Sequence, residues 1–242
     1  MPDAQIYQQY LPLKVSHVSY RVQDNLLLDD VNLVFNDLKR SILLGHNGAG
    51  KSLLLKLLHG AIEPTQGQIT WQQQAPDTRQ YWRSLLLQKP SFFTRSVRYN
   101  IEFVLNLAGT PKAQQADLCD EALNVCGLVN IADRKSHLLS GGEAQKLSLA
   151  RAWVLKPSIL LMDEPTVALD PPSVISFENI IHEFMQTHTK IIMTTHDLAQ
   201  AKRMADEIVF VHNGHILEHS PAEKFFQQPQ THTAKKFISG EL

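Results

Sequence analysis

The residues best placed to do chemistry form the stretch Gly45-His46-Asn47-Gly48-Ala49-Gly50-Lys51-Ser52. It lies between two apolar runs, Ile42-Leu43-Leu44 and Leu53 to Leu58, so a strand should lead into it and a helix should leave it. Glycines let a backbone turn tightly and bring its N–H groups up to phosphate oxygens. The positive end of the helix that follows would face the same phosphates. Lys51 would reach the β- and γ-phosphates, and the Ser52 hydroxyl would ligate Mg²⁺. This pattern is a phosphate cradle, and the rest of the chain must say what the phosphates are used for.

Three further strand ends carry polar residues. Ser158-Ile159-Leu160-Leu161-Met162 reads as a buried strand and ends in Asp163-Glu164. Ligands of α/β sheets sit at the carboxyl ends of strands. Asp163 suits the water shell of Mg²⁺, which prefers hard oxygen ligands, and Glu164 suits a general base that polarises an attacking water. Lys190 to Thr195 reads as the next buried strand and ends at His196, whose imidazole could bind the γ-phosphate or fix the water. Ser84 to Gln88 reads as a strand whose last residue, Gln88, could contact Mg²⁺ and water. Leu139-Ser140-Gly141-Gly142-Glu143 precedes a helix, which Ser140 can cap. The motif fits an ordinary cap, or a second phosphate-binding end that closes over a nucleotide held by another subunit.

A chain of 242 residues with 43% apolar and 19% charged composition suffices for one large domain with a real core. A net charge of −1 argues against a nucleic-acid or anionic-membrane binder. Cys119 and Cys126 read as reduced core thiols. No run of 18 apolar residues exists, and Met1 to Gln5 lacks the start of a secretion signal, so a cytosolic location is expected. His212, His215 and His219 surround the Asn213-Gly214 hairpin signal without the acids or cysteines of a metal site.

The chain in order predicts strands at 14–20 and 30–35 around a turn at Asp24-Asn25, with Tyr20 ending the first. A strand over 38–44 leads into the cradle, and the helix from Ser52 ends near His59-Gly60. A strand covers 68–71, and helices cover 100–107, 113–126 and 142–154. Pro171 or Pro172 opens a helix through Gln186, and another covers 198–206. A hairpin at 207–218, a short helix at 221–227 and a polar tail complete the pattern. The fold class is α/β, a P-loop NTPase core with a mainly parallel sheet, helices on both faces, an antiparallel β region and an inserted helical subdomain. The expected division is a core of residues 1–88 and 154–220, an insertion at 89–153, and a short helix and tail at 221–242.

These motifs together resemble the ABC-type ATPases. Gly45 to Ser52 resembles Walker A, Leu139 to Glu143 the signature motif, and Ile159 to Glu164 Walker B. Ala168-Leu169-Asp170 is similar to the D-loop, His196 to the switch histidine, Gln88 to the Q-loop glutamine, and Tyr20 to the adenine-stacking aromatic. The resemblance covers residues 14 to about 220. It implies a homodimer that sandwiches two Mg²⁺-ATP between the P-loop of one copy and the signature motif of the other. Lys51, Glu164, His196 and Gln88 would serve catalysis. Gly45 to Leu53, Tyr20, Ser140 to Glu143 and Asp170 would bind nucleotide, and Ser52, Gln88 and Asp163 the metal. Leu53 stands where Thr is common, Val167 where a small or polar residue precedes the D-loop, and Glu143 where Gln is commonest.

Within that family, His59-Gly60, Pro64-Thr65, Trp71, Arg151-Ala152-Trp153 and Thr194 to Leu198 resemble the tungstate importer ATPases, as do Gln200-Ala201, Arg203 and Phe237 to Leu242. Phosphate importers and importers of other small solutes, such as polar amino acids, are the near alternative. The resemblance implies permease subunits as partners at the cytoplasmic face of the membrane, an extracytoplasmic solute-binding protein acting through them, and no nucleic acid. Phe92 and Phe93 would meet the permease or pack inside the insertion. A soluble ABC ATPase unconnected to transport is the reading of a different class, and the chain lacks the basic arms and zinc modules common there.

Overall fold

A computed structural model describes residues 10–72 and 82–241. Met1 to Gln5, read above for a secretion signal, and Leu242 lie outside the described residues. The chain forms two compact units. Of the described residues, one contains 10–72 with Leu161–Glu164 and 190–241, and the other contains 82–160 with Pro165–Thr189.

The first unit begins with β1 (Leu13–Val22) and β2 (Asn25–Phe35), an antiparallel pair. Val22 faces Asn25, so the turn is Gln23-Asp24, one residue earlier than expected. The pairing is interrupted near His17 and Asp30, both left-handed, where the His17 Nδ1–Asp30 Oδ1 contact of 2.8 Å holds the irregular strands together. β4 (Gln66–Trp71) pairs on the other edge of β1, giving the order β2-β1-β4.

The larger sheet centres on β3 (Ser41–Leu44), parallel to β7 (Lys190–Thr195) on one side and to β8 (Glu207–His212) on the other. β6 (Ile159–Asp163) neighbours β7, and β9 (His215–Pro221) returns antiparallel to β8. Every residue of β3, β6 and β7 is buried, as expected for strands covered on both faces. Asn213 and Gly214 turn the β8–β9 hairpin with positive φ values of 47° and 80°, which is why an Asn-Gly pair stands there.

β3 starts at Ser41 rather than Leu38 because side chains take the preceding backbone groups. The Lys190 ammonium donates to Lys39 O, and Asp206 Oδ2 accepts from Arg40 N at 2.8 Å. Asp206 also pairs with the Arg40 guanidinium, and the helix expected to reach it stops at Met204. At the N-terminal ends of these strands Lys190, Ser41, Glu207 and His219 form one polar chain, buried at Lys190 and Ser41 and exposed at His219. Burial alone would push the Glu207 carboxyl up. The contacts to His219, Lys190 and Ser41 outweigh it and bring the group from 4.5 to about 2.

Four helices among the described residues complete this unit. They are α1 (Lys51–His59), α6 (Leu198–Met204), α7 (Ala222–Gln227) and α8 (His232–Ser239). The expected polar tail is therefore a helix. The Thr231 hydroxyl accepts from Ala234 N, Gly240 closes the far end at φ 77°, and Phe237 packs on Phe210 with ring centroids 5.2 Å apart.

The second unit contains β5 (Arg83–Leu86), α2 (Val97–Leu107), α3 (Lys112–Val125), α4 (Gly141–Trp153) and α5 (Pro171–Gln186). Short 3₁₀ turns at Val129–Ile131 and Ser136–Leu138 join α3 to α4. The core draws on Ile101, Leu105, Leu123, Leu147, Phe177 and Ile181, and the Trp153 ring meets Phe184 edge-on at 5.0 Å. Burial pushes the Cys119 thiol up to about 11 and the Cys126 thiol to about 12, so both stay protonated. β5 ends at Leu86, so Gln88 lies in the loop after the strand and does not end it. Its carbonyl oxygen is taken by the Gln145 amide at 3.0 Å instead of by a strand neighbour.

Candidate active site

The loop between β3 and α1 is shaped by close backbone approaches. A side chain on Gly45 would sit 2.1 Å from the carbonyl oxygen of Val211, so β8 leaves room only for glycine. Gly50 is left-handed at φ 104° and lies against the Leu28 side chain. It is also the N-cap of α1 and supplies no capping side chain, and no acid stands in the first turn. The N–H groups of that turn are thus left for an anion, at the positive end of a nine-residue helix that runs on through Leu54, Leu55, Leu57 and Leu58 into the core.

Lys51 is 4% exposed. Its ammonium donates to Gly45 O at 2.8 Å and His46 O at 2.9 Å, and stands 3.3 Å from Glu164 Oε1. Burial pulls its pKa down, opposed by Glu164 and Asp163. The Ser52 hydroxyl donates to Asp163 Oδ1 at 2.7 Å. The two hard oxygen groups that a Mg²⁺ ion bound to phosphates would need are therefore adjacent at the loop, so the residues fit that ion. Glu164 Oε2 lies 3.2 Å from His196 Nδ1. Lys51, Ser52, Asp163, Glu164 and His196, scattered over 145 positions of sequence, thus converge where β3, β6 and β7 end.

One residue of this cluster escaped the sequence reading. Thr194, fully buried on β7, accepts from Glu164 N at 2.9 Å and donates to Asp163 Oδ1 at 2.8 Å. It orders both acids at once, and Glu164 is held in a left-handed conformation at φ 42°. The available signal was a hydroxyl inside an otherwise apolar strand, where a buried polar group must find a partner. Asp197, after His196, caps α6 by accepting from Ala199 N and Gln200 N.

Tyr20 is half-buried on β1, opposite Leu28 in the strand register. Since Leu28 is the residue that touches Gly50, Tyr20 belongs to the strand pair that abuts the loop. His46 meets His212 edge-on with ring centroids 4.9 Å apart, and burial followed by His46 lowers the His212 pKa. The three hairpin histidines go to separate partners: His212 to His46, His215 to Asp29 at 4.0 Å, and His219 to Glu207 at 3.1 Å. Leu53 lies in the first turn of α1.

The remaining candidates belong to the second unit. Ser140 caps α4 in a capping box: its hydroxyl accepts from Glu143 N at 3.3 Å, and Glu143 Oε2 accepts from Ser140 N at 2.8 Å. Glu143 Oε1 is held by Arg134 at 2.9 Å. The bond from Ser140 N and the Arg134 charge hold the Glu143 carboxyl below its usual range. The acid at the position where glutamine is commonest is thus held ionised by its own helix cap and by Arg134. Gly141 and Gly142 face the segment that carries Asp170: an added side chain would lie 3.5 Å from Ala168 O at Gly141 and 2.6 Å from Ser173 Oγ at Gly142. Asp170 starts α5, where Pro171 and Pro172 fill the first helical positions. Gln88, Gly141 and Leu169 line one cavity of about 420 Å³ with Phe92 and Gln145.

Comparison with known proteins gives this geometry a family. A sequence profile described as "ABC transporter" matches residues 28–167. The chain belongs to the ABC transporter family. Its ATP-binding relatives include the phosphate import ATP-binding protein PstB 2 of Natronomonas pharaonis, 33% identical over 95% of this chain and 87% of the relative. The tungstate uptake system ATP-binding protein TupC of Peptoclostridium acidaminophilum is 33% identical over 89% of this chain and 100% of its own. The sulfate/thiosulfate import ATP-binding protein CysA of Synechocystis is 34% identical over 94% of this chain and 65% of the relative. Among solved structures, an ATP-binding subunit of an ABC transporter superposes with a TM-score of 0.80 over 96% of this chain and 100% of that one, at 23% identity. A second, cbiO1 of Clostridium perfringens, part of the transporter complex cbiONQ, gives 0.81 over 95% and 98%, also at 23%. The fold is that of the ABC ATPases, an α/β P-loop core with a mixed sheet and an antiparallel sheet, and this ABC domain is an ATP-binding ATPase.

Proposed function

We propose that this chain is the energy-coupling subunit of an importer for a tetrahedral oxyanion, with tungstate the first substrate to test. The observation that carries the hydrolytic part is the convergence of Lys51, Ser52, Asp163, Glu164 and His196. ATP would lie with its phosphates on the N–H groups of Gly45 to Leu53, its base against Tyr20, and its γ-phosphate beside Lys51. Ser52 and Asp163, with Gln88, would hold Mg²⁺, which would offset the charge of the phosphate oxygens. Glu164 would take the proton of the attacking water, with His196 fixing the carboxylate. Ser140 to Glu143 and Asp170 of a second copy would complete the site, so two chains would sandwich two nucleotides.

The partners in this reading are permease subunits, to which the chain binds peripherally on the cytoplasmic face, and an extracytoplasmic solute-binding protein beyond them. No helix among the described residues is long and apolar enough to cross a membrane. The oxyanion class rests on the phosphate, tungstate and sulfate importers among the relatives. Tungstate is favoured by the sequence features that resemble its importers, most of them away from the ATP site, and by a relative matched over its full length. Phosphate is the second reading, because its importers are equally similar. Calorimetric titration of the cognate solute-binding protein with tungstate, molybdate, sulfate and phosphate separates them. Tungstate binding alone supports the first reading, and phosphate binding without tungstate replaces it.

A further inference from the structure

The loop after β5 has an unusual distribution of freedom. Gln88 and Lys89 are exposed and Phe93 is 47% exposed, yet the backbone beneath them is held at several points by side chains. Gln145 Nε2 donates to Gln88 O at 3.0 Å, and Arg151 Nη1 donates to Ser91 O at 2.9 Å while its guanidinium covers the Phe92 ring at 5.6 Å. Asn100 accepts from Phe93 N at 2.9 Å and donates to Phe93 O at 3.0 Å, and the Ser136 hydroxyl donates to the same oxygen at 2.7 Å. Asn100, Ser136 and Gln145 are 1%, 7% and 5% exposed, so three of the unit's buried polar side chains are spent on this one loop.

The two contacts from α4 differ from the others. Gln145 and Arg151 sit on the helix whose first residues are the Ser140 capping box. They lie six positions apart, about 9 Å along the helix axis. Their targets, Gln88 O and Ser91 O, are three residues apart, a span the chain covers in about 10 Å. A single hydrogen bond would let the loop pivot, whereas two at that separation fix its direction relative to the helix. The Gln145 amide cannot turn over without losing its bond, because Gln88 O only accepts. Its Oε1 has no donor.

We propose that Gln145 and Arg151 are positioning residues that clasp the 88–92 loop to α4, so that the loop and the Ser140–Glu143 helix end move as one body. This rests on the composite-site reading above, in which Gln88 faces one nucleotide and the Ser140 end faces the other. A push on the exposed loop then reaches the helix end without needing to travel through the core. Neither residue touches substrate.

The test uses the full chain with Gln145→Glu, which keeps the shape and removes the donor, and Arg151→Met, which removes both the bond and the cover on Phe92. Arg151→Lys, which restores a donor, is the rescue variant and guards against a Gln145 variant that folds poorly. Amide exchange at residues 88–93 is expected to rise about tenfold or more in both loss variants, with exchange in α1 unchanged. ATP turnover should fall about tenfold with KM for ATP within about twofold, and the lysine variant should recover most of both losses. Faster loop exchange with wild-type turnover would overturn the positioning role, and unchanged loop exchange would overturn the clasp itself. A wild-type chain that hydrolyses no ATP would sink the functional reading, and the exchange measurement would still decide whether α4 holds the loop.

Discussion

The phosphate loop and the signature helix end are both glycine-rich helix starts, but they are finished differently. At the phosphate loop the candidate side chains are buried or half-buried and linked to one another: Lys51 to Glu164, Ser52 to Asp163, and Thr194 to the Asp163 carboxylate and the Glu164 backbone N–H. The helix start itself is left without a cap. At the signature end Ser140 and Gly141 are exposed, and the helix start is closed by its own Ser140–Glu143 box. A site that grips phosphate by itself needs a prepared, uncapped amide cluster with charges already aimed. A surface that must meet another molecule needs a rigid, exposed end that is stable while alone. The difference supports the reading of two half-sites, one that binds and one that closes.

The strongest way to break this comparison is Glu164→Gln. Turnover should drop by about 10²–10⁴ with ATP affinity retained, as measured by steady-state hydrolysis and nucleotide titration. Wild-type turnover would remove Glu164 as the base and leave the buried cluster as structure only. Thr194→Val probes the support beneath it. Removing the hydroxyl leaves Glu164 N and an Asp163 lone pair unpaired, with a cost of about 1–3 kcal/mol in chemical denaturation. Turnover should fall with it, because the Glu164 backbone loses the contact that holds it.

Ser140→Ala sharpens the other half. Losing the cap should cost about 1 kcal/mol. Nucleotide affinity of the lone protomer should be unchanged, while ATP-dependent dimerisation, read by light scattering on a Glu164→Gln background, should weaken. Equal weakening of both would mean the two ends are not separate half-sites.

Acid stability measures the opposite edge of the same strands. Because the folded Glu207 carboxyl sits at about 2 against an ordinary 4.5, its contribution is fully present above pH 4.5. It is lost as pH falls from there toward 2. Glu207→Gln should flatten that part of the acid limb in a melting-temperature series. The smallest effect is expected at Cys119 and Cys126. Both thiols are buried and pushed up to about 11 and 12, so neither should react with a thiol reagent at pH 8 until the chain unfolds.

Much of this was legible in the sequence because the signals are local. Helix starts at Ser140 and Pro171, the Gly60 stop and the Asn213-Gly214 hairpin follow from backbone chemistry a few residues wide. The errors came where a distant side chain claimed the backbone. Asp206 and Lys190 bond to residues 39 and 40 and shorten β3, and Gln145 takes the Gln88 carbonyl beyond the end of β5. The tail at 232–239 was read as polar because only Ala234 and Phe237 face inward, and their burial depends on Phe210.

By itself, then, the sequence determined the phosphate cradle, the strand-ending acids and the order of motifs that marks the family, since each is written in consecutive residues. Only the tertiary structure decided how those groups are poised. Thr194 joins the two acids, Arg134 pairs with Glu143, and α4 holds the loop after β5. Each of these is a contact between residues far enough apart in sequence that no local pattern encodes it, and each exists because a buried or capped polar group must find a partner wherever the fold brings one.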